Sequence, residues 1–114
     1  MENCIFCKII KGEIPSQKIY EDETTYAFRD INPQAKHHAL VVCKRHVTGL
    51  ADHAALPEQE LAACLRTAAK VAEMLGIAES GYRVVTNCGS DACQSVAHLH
   101  FHVLGGEKLS AQMA

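Results

Sequence analysis

The segment Val96-Ala97-His98-Leu99-His100-Phe101-His102-Val103-Leu104 constrains the fold more than any other part of the chain. Its apolar and polar residues alternate with a period of two, the mark of a strand with unlike faces. His98, His100 and His102 therefore share one face, about 7 Å apart at ~3.3 Å rise per residue, while Leu99, Phe101 and Val103 occupy the other. The strand is expected over Val96–Leu104 and closes at Gly105–Gly106. Its apolar face needs a covering layer. Pro57 to Leu75 supplies one, a helix with Leu61, Leu65, Ala68, Ala72 and Leu75 in a single stripe. Pro57 suits its first turn, Glu58 and Glu60 favour its positive end, and Gly76 stops it.

The remaining elements are short. Cys4–Lys11 reads as a small helix ending at Gly12. Lys18–Glu21 and Thr25–Arg29 read as a hairpin about Asp22–Glu23, His38–Cys43 as a buried strand, and Tyr82–Thr86 as another strand before an Asn87–Asp91 turn. Strands segregated from one long helix predict an α+β fold with an antiparallel sheet. With 114 residues, 48% hydrophobic, and no repeat or linker, a single domain over 1–114 is expected.

Composition removes several classes of function. Lys and Arg number 11 against 13 Asp and Glu, which argues against stable nucleic-acid binding. No apolar run approaches the ~20 residues of a membrane helix. The N-terminal MENCIFCKII lacks the basic n-region and longer apolar core of a signal peptide. The six cysteines are then expected as reduced thiols in a cytoplasmic protein. Cys43, Cys64 and Cys88 suit small core or boundary positions, and His37 and His53 suit the surface.

Three imidazoles in register disfavour one another's protonation, so they should be largely neutral, the form that attacks electrophiles or ligates metals. A solvated edge face, a metal site and phosphorus chemistry all remain open from this strand alone. The loop upstream favours phosphate, since Asn87, Gly89, Ser90, Asp91, Gln94 and Ser95 are small and polar, and such loops aim N–H groups at anions. Separately, Cys4 and Cys7 form a C-x2-C pair, half a zinc site or a redox pair. No second such pair and no H-x3–5-H follows, so this is not a zinc finger.

His98-Leu-His100-Phe-His102-Val-Leu104, with Gln94-Ser95-Val96 before it and Gly105-Gly106 after it, resembles the histidine triad (HIT) family. Cys4–Ser16, Tyr20–Asp22, Ala27–Ala35, His38–His46 and Tyr82–Asp91 are similar in order and spacing to its HINT-like branch. The resemblance implies a five-stranded antiparallel sheet with one long and one short helix, paired into a homodimer. It implies attack on the α-phosphate of a purine nucleotide, typically a nucleoside phosphoramidate or an aminoacyl-adenylate. His100 matches the nucleophile, His102 and His38 its supporting histidines, and Ser95 and Asn87 the phosphate and leaving-group contacts. Asp30 matches the ribose ligand, and Ile5, Phe6, Ile9, Phe28 and Ile31 match the walls about the base. In some bacterial relatives the cysteine pair is completed by histidines matching His46 and His98, which implies a structural Zn²⁺ on Cys4, Cys7, His46 and His98.

Two departures bear on function. Ala92-Cys93 stands where the pattern has a glycine pair, so with Gly89 nearby a side chain is expected where backbone approaches phosphate. The chain also ends in Lys108–Ala114 rather than a Trp-Pro-Pro-Gly tail, which bears on the leaving group. A dinucleoside polyphosphate hydrolase, a nucleotidyl transferase and a non-catalytic nucleotide-binding scaffold are the alternatives.

Overall fold

The computed structural model describes residues 3–113. Its elements run in the order α1 (Ile5–Ile10), β1 (Lys18–Glu21), β2 (Thr25–Arg29), β3 (His37–Cys43), α2 (Glu58–Met74), β4 (Tyr82–Val85) and β5 (His100–Gly105). Short 3₁₀ turns at Leu50–Ala55 and Ser90–Ala92 were not anticipated. The first of these buries no residue, and so leaves no hydrophobic period to read. The five strands form one sheet in the order β1-β2-β3-β5-β4, antiparallel throughout, as expected. Among the described residues no helix is long and apolar enough to cross a membrane.

Alternation in β3 and β5 divides the core in two. Ala39, Val41 and Cys43 join Leu99, Phe101 and Val103 beneath α2, whose Cys64, Ala68, Val71 and Ala72 complete the larger cluster. Leu40 and Val42 face the other way, with Tyr26 and Phe28 of β2, and α1 covers them with Phe6 and Ile9. The register sets Val42 opposite His100 and Leu40 opposite His102, so both imidazoles emerge on the α1 side of the sheet.

Local chemistry explains the element ends. Gly76 follows the last turn of α2 at φ +75°, its N–H bonded to Glu73 O and that of Ile77 to Ala72 O. Gly12 closes α1 in the same way at φ +80°, with bonds to Ile9 O and Lys8 O. Both are Schellman ends, where a left-handed residue without Cβ satisfies orphan carbonyls. The β1–β2 turn is held by Asp22, which accepts from the N–H groups of Thr24 and Thr25 at 2.9 and 2.8 Å and from the Thr25 hydroxyl. Burial opposes ionisation of Asp22, but these donors prevail and hold its carboxyl at about 2. Thr25 also meets the buried Thr67 hydroxyl of α2 at 2.9 Å, tying the hairpin to the helix.

Three sequence expectations shift. Pro57 is the N-cap residue, outside the first turn, with α2 starting at Glu58. Leu65 is 53% exposed, while Cys64, Thr67 and Val71 are buried, so the helix's buried face is rotated from the expected stripe. Cys88 is exposed, not a core or boundary thiol.

Candidate active site and metal centre

The histidine strand begins at His100, four residues later than expected. Before it the chain turns: the His98 N–H donates to Val96 O at 2.8 Å, and the Leu99 N–H to Val47 O at 2.8 Å. His98 therefore leaves the row of imidazoles. Its ring is completely buried and joins a different group.

That group is Cys4, Cys7, His46 and His98, whose ligand atoms all lie within 4.8 Å of one another. The His46 and His98 Nδ1 atoms are 3.1 Å apart. Cys7 Sγ is 3.3 Å from His46 Nδ1 and 3.6 Å from His98 Nδ1, and Cys4 Sγ is 3.4 Å from His98 Nδ1. Metal–ligand bonds of roughly 2.0–2.3 Å at tetrahedral angles give ligand separations of about 3.3–3.8 Å, so the set fits one Zn²⁺. The proton positions fit as well. His98 Nε2 lies 2.6 Å from Cys43 O, which fixes its proton there and leaves Nδ1 bare toward the thiols. Burial pushes the Cys7 thiol up, a cost that coordination to a cation reverses.

A second chain of contacts orders the remaining histidines. Asp30 Oδ1 accepts from the Asn32 N–H at 2.8 Å in a side-chain turn that carries Gln34 beneath His38. The Gln34 N–H donates to His38 Nδ1 at 3.0 Å, so the His38 proton is on Nε2. His38 Nε2 lies 2.8 Å from His102 Nδ1, much closer than the 3.5 Å to Asp30 Oδ2. His38 thus donates to His102, whose proton is left on Nε2. His100 Nδ1 donates to His98 O at 2.7 Å, which leaves its Nε2 lone pair free. Burial, then the charges of His100 and His38, push His102 down to about 4. Burial also lowers His38, against the opposing pull of Asp30. Burial thus favours the neutral form of the His38–His102 pair, and a neutral imidazole with a free lone pair is the nucleophilic form.

His100 and His102 open onto a cavity of about 250 Å³ between α1 and the sheet. Of the expected site residues, Ile5, Phe6, Ile9, Phe28, Asp30, Ile31, Ser95, His100 and His102 all line it. Ile31 does so from the solvent side, at 91% exposure. Phe6 packs edge-on against His100, centroids 5.0 Å apart, and against Phe28 at 5.7 Å. His38 stands behind His102, outside the lining.

Asn87, Gly89 and Cys93 lie outside this lining, in the loop before the strand. That loop is closed by Gln94, which accepts from the Gly89 N–H at 2.9 Å and donates to Thr48 O and Val96 O at 2.6 and 3.0 Å. Gln94 thus braces the loop through its own backbone partners. Cys93 is exposed and has φ +60°, the only non-glycine residue with positive φ among those described. Sequence reasoning missed Ser16, Ile14 and Leu40 as lining residues and Gln34 as the His38 partner. The Gln34 contact is made by a backbone N–H, which side-chain identity does not reveal.

A histidine pair with a bare Nε2, an apolar slot and a separate thiol–imidazole cluster define a class of protein. The chain belongs to the HIT family: the HIT domain model matches residues 11–109. It is 44% identical over 113 residues to the purine nucleoside phosphoramidase of Escherichia coli K12, covering 99% of this chain and 95% of that protein. It is 50% identical over 108 residues to the 14 kDa zinc-binding protein of Zea mays, covering 93% and 84% of the two. Among solved structures, a HIT family hydrolase from Clostridium thermocellum superposes with a TM-score of 0.93 at 48% identity, over 100% of this chain and 99% of that one.

Proposed function

We propose that the chain is a hydrolase that releases a purine nucleoside monophosphate from a nucleoside phosphoramidate or an aminoacyl-adenylate through a nucleotidyl-His100 intermediate. The observation that carries this reading is the hydrogen-bond order that leaves His100 Nε2 bare beside the cavity. The similarity to a purine nucleoside phosphoramidase supports it. His100 Nε2 gives its lone pair to the α-phosphorus. From a phosphoramidate the leaving amine departs with the P–N electron pair and takes a proton from solvent; from an aminoacyl-adenylate the aminoacyl carboxylate departs with the P–O pair. His102 Nε2–H and the Ser95 hydroxyl donate to phosphoryl oxygens as charge develops there. Water then attacks phosphorus, the bond to His100 Nε2 breaks, and the monophosphate and a proton leave. Division into two displacements lowers each barrier. Asp30 takes the ribose hydroxyls, and Ile5, Phe6, Ile9, Phe28 and Ile31 enclose the base.

Adenosine 5′-phosphoramidate should yield AMP with the native chain and none with His100→Ala; full turnover by that variant refutes the assignment. Faster release from a dinucleoside polyphosphate than from the phosphoramidate would move the leaving group to the P–O–P class. AMP binding without any turnover would leave a nucleotide-binding scaffold, with Cys93 in the phosphate loop as its first suspect.

Cys4, Cys7, His46 and His98 would hold Zn²⁺ in a closed shell, where the ion cross-links α1 to the segments bearing the two histidines and offers no open position. The similarity to a zinc-binding protein supports this. Metal analysis of native protein showing no zinc overturns it. A homodimer would bury the free edge of β4, where Tyr82 and Val84 are more than a third exposed, together with Leu65 of α2. Light scattering that gives the 12.4 kDa monomer mass at micromolar concentration overturns that part.

A further inference from the structure

The polar residues of the cavity divide by expected role. Asp30, Ser95, His100 and His102 are those matched to the phosphate and ribose. The rest of the lining is aliphatic and aromatic, save for Arg29 and Ser16. Arg29 ends β2 directly after Phe28, so alternation sends its side chain to the other face of the sheet. Ser16 is left as the one lining hydroxyl not matched to the phosphate.

Its position is far from the histidines. The Gln17 carbonyl accepts from the Arg29 N–H, so Ser16 sits on the β1 side of the sheet. From β5 to β1 there are three strand spacings, about 14 Å at ~4.8 Å each. That separation leaves room for a ribose and a base between a phosphorus at His100 and the Ser16 hydroxyl. Aromatic contacts link His100 to the Ser16 partner Tyr26, with His100 against Phe6, Phe6 against Phe28, and Phe28 against Tyr26 along β2.

Ser16 is also held for recognition. Its Oγ lies 2.8 Å from Oη of the buried Tyr26, and either oxygen can be the donor. When Tyr26 donates, the Ser16 proton is free for a carbonyl oxygen. When Ser16 donates to Tyr26, its lone pairs remain open to an amino group. One hydroxyl pair can therefore satisfy a 6-oxo or a 6-amino substituent without moving a heavy atom.

We propose that Ser16 is the base-reading residue of this cavity, and that its hydroxyl, reversed in polarity by Tyr26, engages the 6-substituent of a purine, amino or oxo alike. The proposal rests on the nucleotide reading given above, and the experiment separates the two. AMP, IMP and the monophosphate of unsubstituted purine riboside are titrated calorimetrically into the full chain, Ser16→Ala and Ser16→Thr, with thermal melts to verify folding. The native chain should bind AMP and IMP about threefold to tenfold more tightly than the 6-unsubstituted nucleotide, the range of one neutral hydrogen bond. Ser16→Ala should bind all three alike, and Ser16→Thr, which keeps the hydroxyl, should restore the preference. Equal binding of the three by the native chain, or a preference that survives in Ser16→Ala, overturns the role of Ser16. Failure of all three to bind the native chain overturns the nucleotide reading and this proposal with it.

Discussion

His102 makes folding stability depend on pH in a direction that the site geometry fixes. Burial beside two other imidazoles holds its native pKa at about 4, whereas an unfolded histidine titrates near 6.5. The folded state thus resists a proton that the unfolded chain accepts, so the associated stability is whole above about pH 6.5 and is lost as pH falls toward 4. Between about pH 7.5 and pH 5 the linkage amounts to RT ln of roughly thirty, about 2 kcal/mol. The perturbation is His102→Asn, whose amide oxygen can still accept the His38 Nε2–H but does not titrate. Urea unfolding of both proteins at the two pH values isolates the term, because His38 and His98 remain in each. The native protein should lose about 2 kcal/mol more than the variant on acidification. An NMR titration should place the His102 ring midpoint near 4. Equal losses in the two proteins, or a ring that protonates near pH 6, refute the claim that the hydrogen-bonded imidazole pair is kept neutral.

Three further outcomes follow from the geometry. Cys4→Ser should abolish stoichiometric zinc and lower the melting temperature while leaving residual turnover, as read by metal analysis, a thermal scan and AMP release. Cys93→Gly should raise stability by no more than about 1 kcal/mol, because relief of left-handed strain is partly offset by the added freedom of the unfolded chain; a loss of stability by urea titration contradicts the backbone reading. Thr67→Val should cost about 1 kcal/mol by removing the donor to Thr25, since the Thr25 hydroxyl still reaches Asp22, and a neutral result by the same titration contradicts the tie between hairpin and helix.

The parts of the fold legible in sequence are those set by neighbours along the chain. Gly12 and Gly76 mark helix ends because the conformation they permit is local. Leu99, Phe101 and Val103 declare their face because a strand's period is local. His98 defied the same period, since its turn depends on the Val47 carbonyl and on thiols from the other end of the chain. The face of α2 drifted because buried Cys64 and Thr67 read as less apolar than the exposed Leu65. At the site, residue types and approximate partners were visible, whereas the proton order was not: it is set by Gln34 N–H, His98 O and Cys43 O.

Alternation in β5 also shapes how the protein can change. Phe101 and Val103 belong to the cluster beneath α2, and His100 and His102 to the opposite side of the sheet. A sheet layer separates the two groups, and the clusters packed on its two faces share no residue. Drift in the foundation and drift in the chemistry thus fall on opposite faces of a strand of six residues. Such a chain can gain or lose robustness through one set of positions while its reactive surface is revised, or left alone, through the other.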